Sequence, residues 1–272
     1  MARPFVSLLT DFGLRDPSAA ICRGVIRTIA PDADVLDITH EVPKYAIGDG
    51  AYLLWCALPY LPVGSHVAVV DPGVGTERLP VALQVARGDV LVGPDNGLLL
   101  AAAERLGGAV AAHVLEEAAY RLPVVSGSFH GRDIFAPAAA HLARGAPLEA
   151  FGRALAPTEL VPSPLPRPRP VPGGLATAVV YVDTFGNVKW SAMAADLATS
   201  LGAILPDDAL VLERSGGPAV AVPWTTTFGS VGPGEGLLYE DSYGRACLAV
   251  NQGDAAARYG LERGAEVVLR RA

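Results

Sequence analysis

At 272 residues the chain is long for a single core, which favours two domains. An apolar fraction of 51% with mean hydropathy +0.34 excludes a disordered protein. A net charge of −7 and an isoelectric point near 5.2 leave no basic surface for nucleic acid.

From the N-terminus, Met1-Ala2-Arg3-Pro4 leads into an apolar run cut by Asp11, which fits no secretory signal, so a cytoplasmic protein is expected. Phe5 to Thr10 reads as a buried first strand, with Asp11-Phe12-Gly13 as its exit loop. Asp16-Pro17 is an N-cap followed by proline at the first helical position, opening a helix to about Ala30. Ala33 to Ile38 reads as a second strand, Ile47 to Leu58 as a helix and Ser65 to Asp71 as a third strand. The apolar stretch from Ala51 to Val63 is short for a bilayer span and carries two prolines, so no membrane partner is expected. Val81 to Ala86 and Asp89 to Val92 pair as a hairpin across Arg87-Gly88, and Leu98 to Leu106 and Asp133 to Ala143 are further helices. This alternation predicts a layered α/β domain with a largely parallel sheet over residues 1–160.

Seven prolines between Ala156 and Gly174 can continue neither a sheet nor a helix, and they set a linker at 161–174. Beyond it, Ala176 to Asp183, Ala209 to Glu213, Val220 to Val222, Gly236 to Tyr239 and Ala246 to Val250 are short β-type runs punctuated by Gly, Pro and Asp. They predict a small β-barrel or sandwich over 175–272. Cys22, Cys56 and Cys247 are odd in number and widely spaced, neither a disulfide framework nor a metal pattern, and read as core fillers.

The chemistry-bearing residues gather on loops after apolar runs, where the ligands of α/β sheets bind. Asp11 follows the first strand, and an ionised carboxylate there suits a vicinal diol such as a ribose; a loop-capping Asp explains it equally. Asp16 and Ser18 flank a helix N-terminus and suit the charged ends of a free amino acid, although an ordinary helix cap is the simpler reading. Asp71, Arg78 and His130 place an acid, a fixed cation and an imidazole on two Gly-bearing loops, a set suited to positioning a nucleophile. The Gly-rich run from Asp71 to Thr76 lacks the third Gly of a dinucleotide fingerprint and the Gly-Lys of a phosphate loop. Pro94-Asp95-Asn96-Gly97 reads as a turn. His40, His66, His113 and His141 have no comparable setting and read as surface or core fillers. In the second domain Phe185 can stack on a base and Asn187 can meet a purine edge, while the loops around Ser242 and Asn251 are polar turns.

Thr10-Asp11-Phe12-Gly13 with Asp16, Asp37 to Pro43, Val70 to Thr76, Gly93 to Gly97, Phe129 to Asp133, Asp183 to Asn187 and Ala249-Val250-Asn251 occur in this order along the chain. Together they resemble the S-adenosyl-L-methionine hydroxide adenosyltransferases, the water-using relatives of fluorinase and chlorinase. The resemblance implies that S-adenosylmethionine and water give adenosine and methionine, with the small molecule as substrate and no cofactor or metal. It implies a homotrimer whose sites lie between the first domain of one subunit and the second domain of its neighbour. It implies Asp71, Arg78 and His130 as the water-handling triad and Asp11 on the ribose. Asp16, Ser18, Asp183 and Ser242 would hold the methionine end. Asn187 and the loop near Asn251 would meet the adenine, with Phe129 and Phe185 also against substrate. Halogenating relatives carry Tyr in place of Asp71 and lack His at position 130, so a halide-using transferase is the rival activity. A non-catalytic sensor of adenosine or S-adenosylmethionine is the rival from another class. Lys189-Trp190-Ser191, where relatives often carry a Thr-Asn pair, and Tyr243, where fluorinase has a basic residue, depart from the family pattern.

Overall fold

A computed structural model describes residues 3–214 and 217–272 and divides the chain into two compact units, one ending at Pro164 and one beginning at Leu165. Met1 and Ala2, where the segment read for a leader begins, lie outside the described residues.

The first unit alternates strands and helices: β1 (Phe5–Thr10), α1 (Ser18–Ile29), β2 (Asp34–Thr39), α2 (Ile47–Ala57), β3 (Ser65–Val69), β4 (Pro80–Val85), β5 (Val90–Pro94), α3 (Leu100–Arg105), β6 (Ala109–Val114), α4 (Ala136–Ala143) and β7 (Ala154–Leu155). The sheet runs β2-β1-β3-β5-β4-β6-β7, with β2, β1, β3 and β5 parallel and the rest added antiparallel. β1 and β3 are covered on both faces, which explains why they read as unbroken apolar runs rather than alternating ones. Ala19, Cys22 and Ile26 recur at helical spacing and turn α1 onto the core, where Phe135 and the alanines of α4 join them against Val6, Leu8, Val67 and Val69. α2 packs from the opposite side against Leu9 and Val70. The helix expected from Asp133 begins instead as one π-type turn, Gly131–Phe135, that runs into α4. Such turns occur preferentially at functional sites.

The second unit contains β8 (Arg169–Val171), β9 (Gly174–Val182), β10 (Val188–Met193), α5 (Ala194–Leu201), β11 (Ala209–Arg214), β12 (Val220–Pro223), β13 (Gly236–Glu240), β14 (Arg245–Val250), α6 (Ala255–Tyr259) and β15 (Glu266–Arg271). Its antiparallel sheet runs β12-β11-β15-β9-β10-β14-β13, and a bridge between Trp224 and Leu238 brings its two edges together into a nearly closed barrel. One expectation fails here. The proline-rich stretch does continue a sheet, because β8 pairs with β9 through Arg169↔Ala176, Pro170↔Leu175 and Val171↔Gly174. Proline is tolerated in a strand that lies off the main path of the sheet, where it need not donate to the ladder. All three cysteines are free and buried, and burial pushes the thiols of Cys22 and Cys247 up to about 12 and about 11.

Candidate active site

The parallel strands β1 and β3 end side by side, and their exit loops carry Asp11 and Asp71 to the carboxyl edge of the sheet. The β3 exit is held by Asn96, whose amide donates to the Val70 carbonyl at 2.9 Å while its own oxygen accepts from the Leu98 N–H at 3.2 Å. The Pro94–Gly97 turn therefore positions Asp71, a role that turn chemistry alone did not reveal. Gly75 is in the left-handed region at φ 76°, and a Cβ there would lie 2.2 Å from the Gly127 carbonyl. That close approach brings the loop after Asp71 against the segment that leads to His130.

Arg78 grips Asp71 with both edges of its fork. Nε donates to Asp71 Oδ1 at 3.1 Å and Nη2 donates to Oδ2, with both side chains almost fully buried. Nη2 also lies 3.1 Å from His130 Nδ1. A guanidinium only donates, so Nδ1 must be the accepting nitrogen and the neutral ring carries its proton on Nε2. Burial, followed by the Arg78 cation, holds the His130 imidazolium below the usual histidine range against the opposing pull of Asp71. The guanidinium sits 5.4 Å from the centre of the Phe135 ring, which closes the far side of the group. Beneath His130, the fully buried Asp133 accepts from Arg132 Nε at 2.6 Å and from the Ser126 N–H at 2.9 Å, tying the π-type turn to the loop before it.

Asp11, Asp71, Phe129 and His130 line one cavity of about 100 Å³, together with Phe12 and Tyr45. Gly131 provides the room expected after His130, and the group that approaches is the Phe12 ring, 2.9 Å from where a Cβ would stand. Phe12 and Phe129 meet edge to face at 5.6 Å. Asp11 Oδ2 accepts from the Tyr45 N–H at 2.9 Å, and Lys44 Nζ donates to the Asp11 carbonyl. Tyr45 has φ 65°, uncommon for a side-chain-bearing residue, and it lines the cavity while 71% exposed. No motif marked it in the sequence. Asp16 and Ser18 do not line this cavity. Asp16 Oδ1 accepts from the Ser18 N–H at 2.9 Å, and hydrogen bonding by Ser18 holds this exposed carboxyl below its usual range; the helix begins at Ser18 with Pro17 at the cap position, one residue later than expected, so Asp16 stands just before the cap.

In the second unit Asp183 organises its own turn, with Oδ1 accepting from the N–H groups of Phe185 and Asn187 at 3.0 Å and Oδ2 from the Asn187 amide at 2.9 Å. A cavity of about 590 Å³, in the size range of small-molecule sites, is lined by Phe185, Asn187, Phe228, Asn251 and Asp254. Phe185 is 77% exposed there, its face uncovered. Asn251 donates to the Val231 carbonyl at 2.8 Å. Ser242 lies on a neighbouring turn, outside the residues that line this cavity. The departure at Lys189 has a structural role: its ammonium stands 3.6 Å from Asp183 Oδ2 and 3.4 Å from Asp241 Oδ2, joining the two turns. Burial alone would depress that ammonium. The surrounding thiol, phenol and two carboxylates outweigh burial and raise it above the usual lysine range.

Comparison with known proteins covers both units. Residues 6–152 match the family model described as the SAM hydroxide adenosyltransferase N-terminal domain, and residues 177–268 the corresponding C-terminal domain. The chain is 48% identical to the (R)-S-adenosyl-L-methionine hydrolase of Salinispora tropica, over 96% of this chain and 95% of that one. It is 39% identical to the protein of the same name from Thermus thermophilus, over 97% and 98% of the two chains. Proteins named fluorinase match at lower identity. A crystal structure of a conserved protein from Thermotoga maritima superposes with a TM-score of 0.91 at 32% identity, covering 98% of this chain and 100% of the other.

Proposed function

The chain belongs to the SAM hydroxide adenosyltransferase family, and on that premise we propose that it hydrolyses (R)-S-adenosyl-L-methionine to adenosine and L-methionine. Water attacks C5′, an O–C5′ bond forms, and the C5′–S bond breaks with its electron pair passing to sulfur. The sulfonium thus leaves as a neutral thioether, so departure calls for no cofactor. The difficulty lies with water, which gains positive charge as it attacks.

The observation that carries this reading is the Asp71–Arg78–His130 group at the wall of the cavity that also holds Asp11. Its geometry divides the labour. His130 Nδ1 is occupied by the Arg78 donor, so the ring presents Nε2–H, which donates to the water oxygen and orients it. Each Asp71 oxygen accepts from Arg78 and keeps a second lone-pair direction, so Asp71 takes the water proton. Arg78 fixes the carboxylate and offsets its charge. Placing the water in line with the C5′–S bond at about 3–3.5 Å contributes the entropic share of the acceleration. A carboxylate at this place repels an attacking halide, which disfavours the halide-using reading.

Asp11 is assigned to the ribose hydroxyls, supported by its place in the same cavity, with Phe129 beside it. Phe185, Asn187 and Asn251 are assigned to the adenine, supported by the larger cavity they line. Asp183, Ser242, Asp16 and Ser18 are assigned to the methionine end by family resemblance. The two sets of residues lie on different units, and the 100 Å³ cavity is below the roughly 300 Å³ of usual ligand sites, which supports a homotrimer with shared sites. A cytoplasmic location accords with three unpaired cysteines.

The test is incubation with S-adenosylmethionine in ¹⁸O-water, with and without chloride, followed by mass spectrometry. Adenosine labelled at its 5′ oxygen, with methionine, is expected in both. A 5′-halogenated nucleoside would move the chain to the halide-using branch, and tight binding without turnover would make it a sensor.

A further inference from the structure

His40, which its sequence setting leaves without a role, lies behind the loop that carries Asp11. Its side chain is 1% exposed, and Nδ1 is 2.8 Å from Thr10 Oγ1. That hydroxyl accepts from the Phe12 N–H at 3.2 Å, while the His40 carbonyl accepts from the Gly13 N–H at 2.7 Å. On its other side His40 Nε2 faces Asp37 Oδ1 at 3.1 Å, and Asp37 Oδ2 accepts from Arg23 Nη1 at 2.9 Å. Thr10 Oγ1 thus joins the Phe12 N–H on one side to the buried imidazole Nδ1 on the other. His40 Nδ1 and the His40 carbonyl tie the backbone on either side of Asp11, while Nε2 and Asp37 Oδ1 stand close with no hydrogen bond between them.

An apolar side chain of similar volume would fill this space without the cost of desolvating an imidazole. What the hydrogen bonds at Nδ1 and at the His40 carbonyl add is direction. The turn from Thr10 to Gly13 is tied at Thr10, Phe12 and Gly13, and the segment that holds it continues to Lys44 and Tyr45, which bind Asp11 itself. We propose that His40 is a positioning residue for ribose recognition, aiming the Asp11 carboxylate into the cavity through Thr10. This rests on the assignment of Asp11 to the ribose.

The test is the selectivity of product binding, read by calorimetry with adenosine, 2′-deoxyadenosine and 3′-deoxyadenosine on the intact protein. The unaltered chain is expected to prefer adenosine by roughly tenfold or more over the analogue lacking a hydroxyl that Asp11 holds. His40→Leu should abolish most of that preference. Thr10→Val, which removes the hydroxyl at nearly constant volume, should do the same should His40→Leu fail to fold. His40→Asn keeps a hydrogen-bonding group near Nδ1 and should retain the preference to within about threefold, since a threefold change is well under the roughly 1.4 kcal/mol of a tenfold one. A Leu or Val variant with undiminished selectivity overturns the proposal, and so does an Asn variant as unselective as Leu. Asp11→Ala separates the two layers. If it leaves the preference intact, the ribose assignment fails and the role of His40 falls with it; if it removes the preference while His40→Leu and Thr10→Val do not, only the role of His40 fails.

Discussion

Arg78 decides what its two neighbours can do, because a group that only donates forces Asp71 and the Nδ1 of His130 to accept. The three residues were recognisable in the sequence as an acid, a cation and an imidazole. Which ring nitrogen of His130 meets the guanidinium was not, and the proposed division of labour depends on it. Asp71→Asn keeps the shape of the side chain and removes the proton acceptor. Its kcat should fall by about 10²–10⁴-fold while KM changes little, and steady-state kinetics showing an unchanged kcat would sink the assignment. His130 carries a second prediction at this scale. Its lowered pKa means that the folded protein keeps the neutral ring at pH values where a free histidine, near 6.5, already takes up a proton. The acid limb of kcat should therefore fall below about pH 6.5, and a limb centred at or above that value in a pH–rate profile would contradict the geometry. Stability follows the same sign. Below about pH 6.5 the unfolded chain binds a proton that the folded chain resists, so this residue weakens the fold as the pH falls.

Between elements, a second buried histidine shows what sequence spacing conceals. His66 on β3 has Nδ1 2.7 Å from Ser7 Oγ on β1 and Nε2 2.9 Å from Asp89 Oδ1 beside β5, while Arg87 clasps the same carboxylate at 2.7 and 2.9 Å. The serine, histidine and aspartate order suggests a nucleophile. All three are completely buried, so no substrate reaches the hydroxyl, and the group instead pins three strands in register. Burial alone would raise the Asp89 carboxyl, but hydrogen bonds from His66 and Arg87 outweigh it and hold the group well below the usual carboxylate range. The stabilisation is present above the unfolded value near 4 and is lost as the pH falls below it. Asp89→Ala, which strands the partners of a buried ion pair, should cost about 3–5 kcal/mol in chemical denaturation. A loss under 1 kcal/mol would show that the clasp is dispensable. The elements legible in advance were those whose apolar period is unambiguous, such as β1, α1 and β3. β8 was hidden because proline argues against strands except where no donor is needed. β10 was hidden because Lys189 interrupts its apolar run, its charge being met by Asp183 and Asp241 outside the strand. Pairing partners distant in the chain supply what local pattern cannot.

For the whole molecule, the division into an α/β unit and a β unit was readable from the shift in composition around the prolines, whereas the proposed completion of the site by assembly rests on the cavities of each unit. The first unit holds the Asp71–Arg78–His130 group at a cavity of about 100 Å³; Tyr45, which lines it, is 71% exposed, and Leu14, three residues after Asp11 in the chain, is 66% exposed. The second unit holds the larger cavity, with Phe185 uncovered. The proposed homotrimer would cover these exposed apolar side chains. A homotrimer in which each neighbour completes the other's site predicts a solution mass near 84 kDa, three times the 28.1 kDa of one chain. Light scattering coupled to size exclusion measures it directly. Leu14→Asp changes no residue of the Asp71–Arg78–His130 group, yet it puts a charge where an exposed apolar side chain stood. It should lower the mass toward that of one chain and lower turnover in parallel, with activity recovering as protein concentration rises. A 28 kDa species that turns over S-adenosylmethionine at the full rate would show that one chain suffices and that the exposed residues have another use.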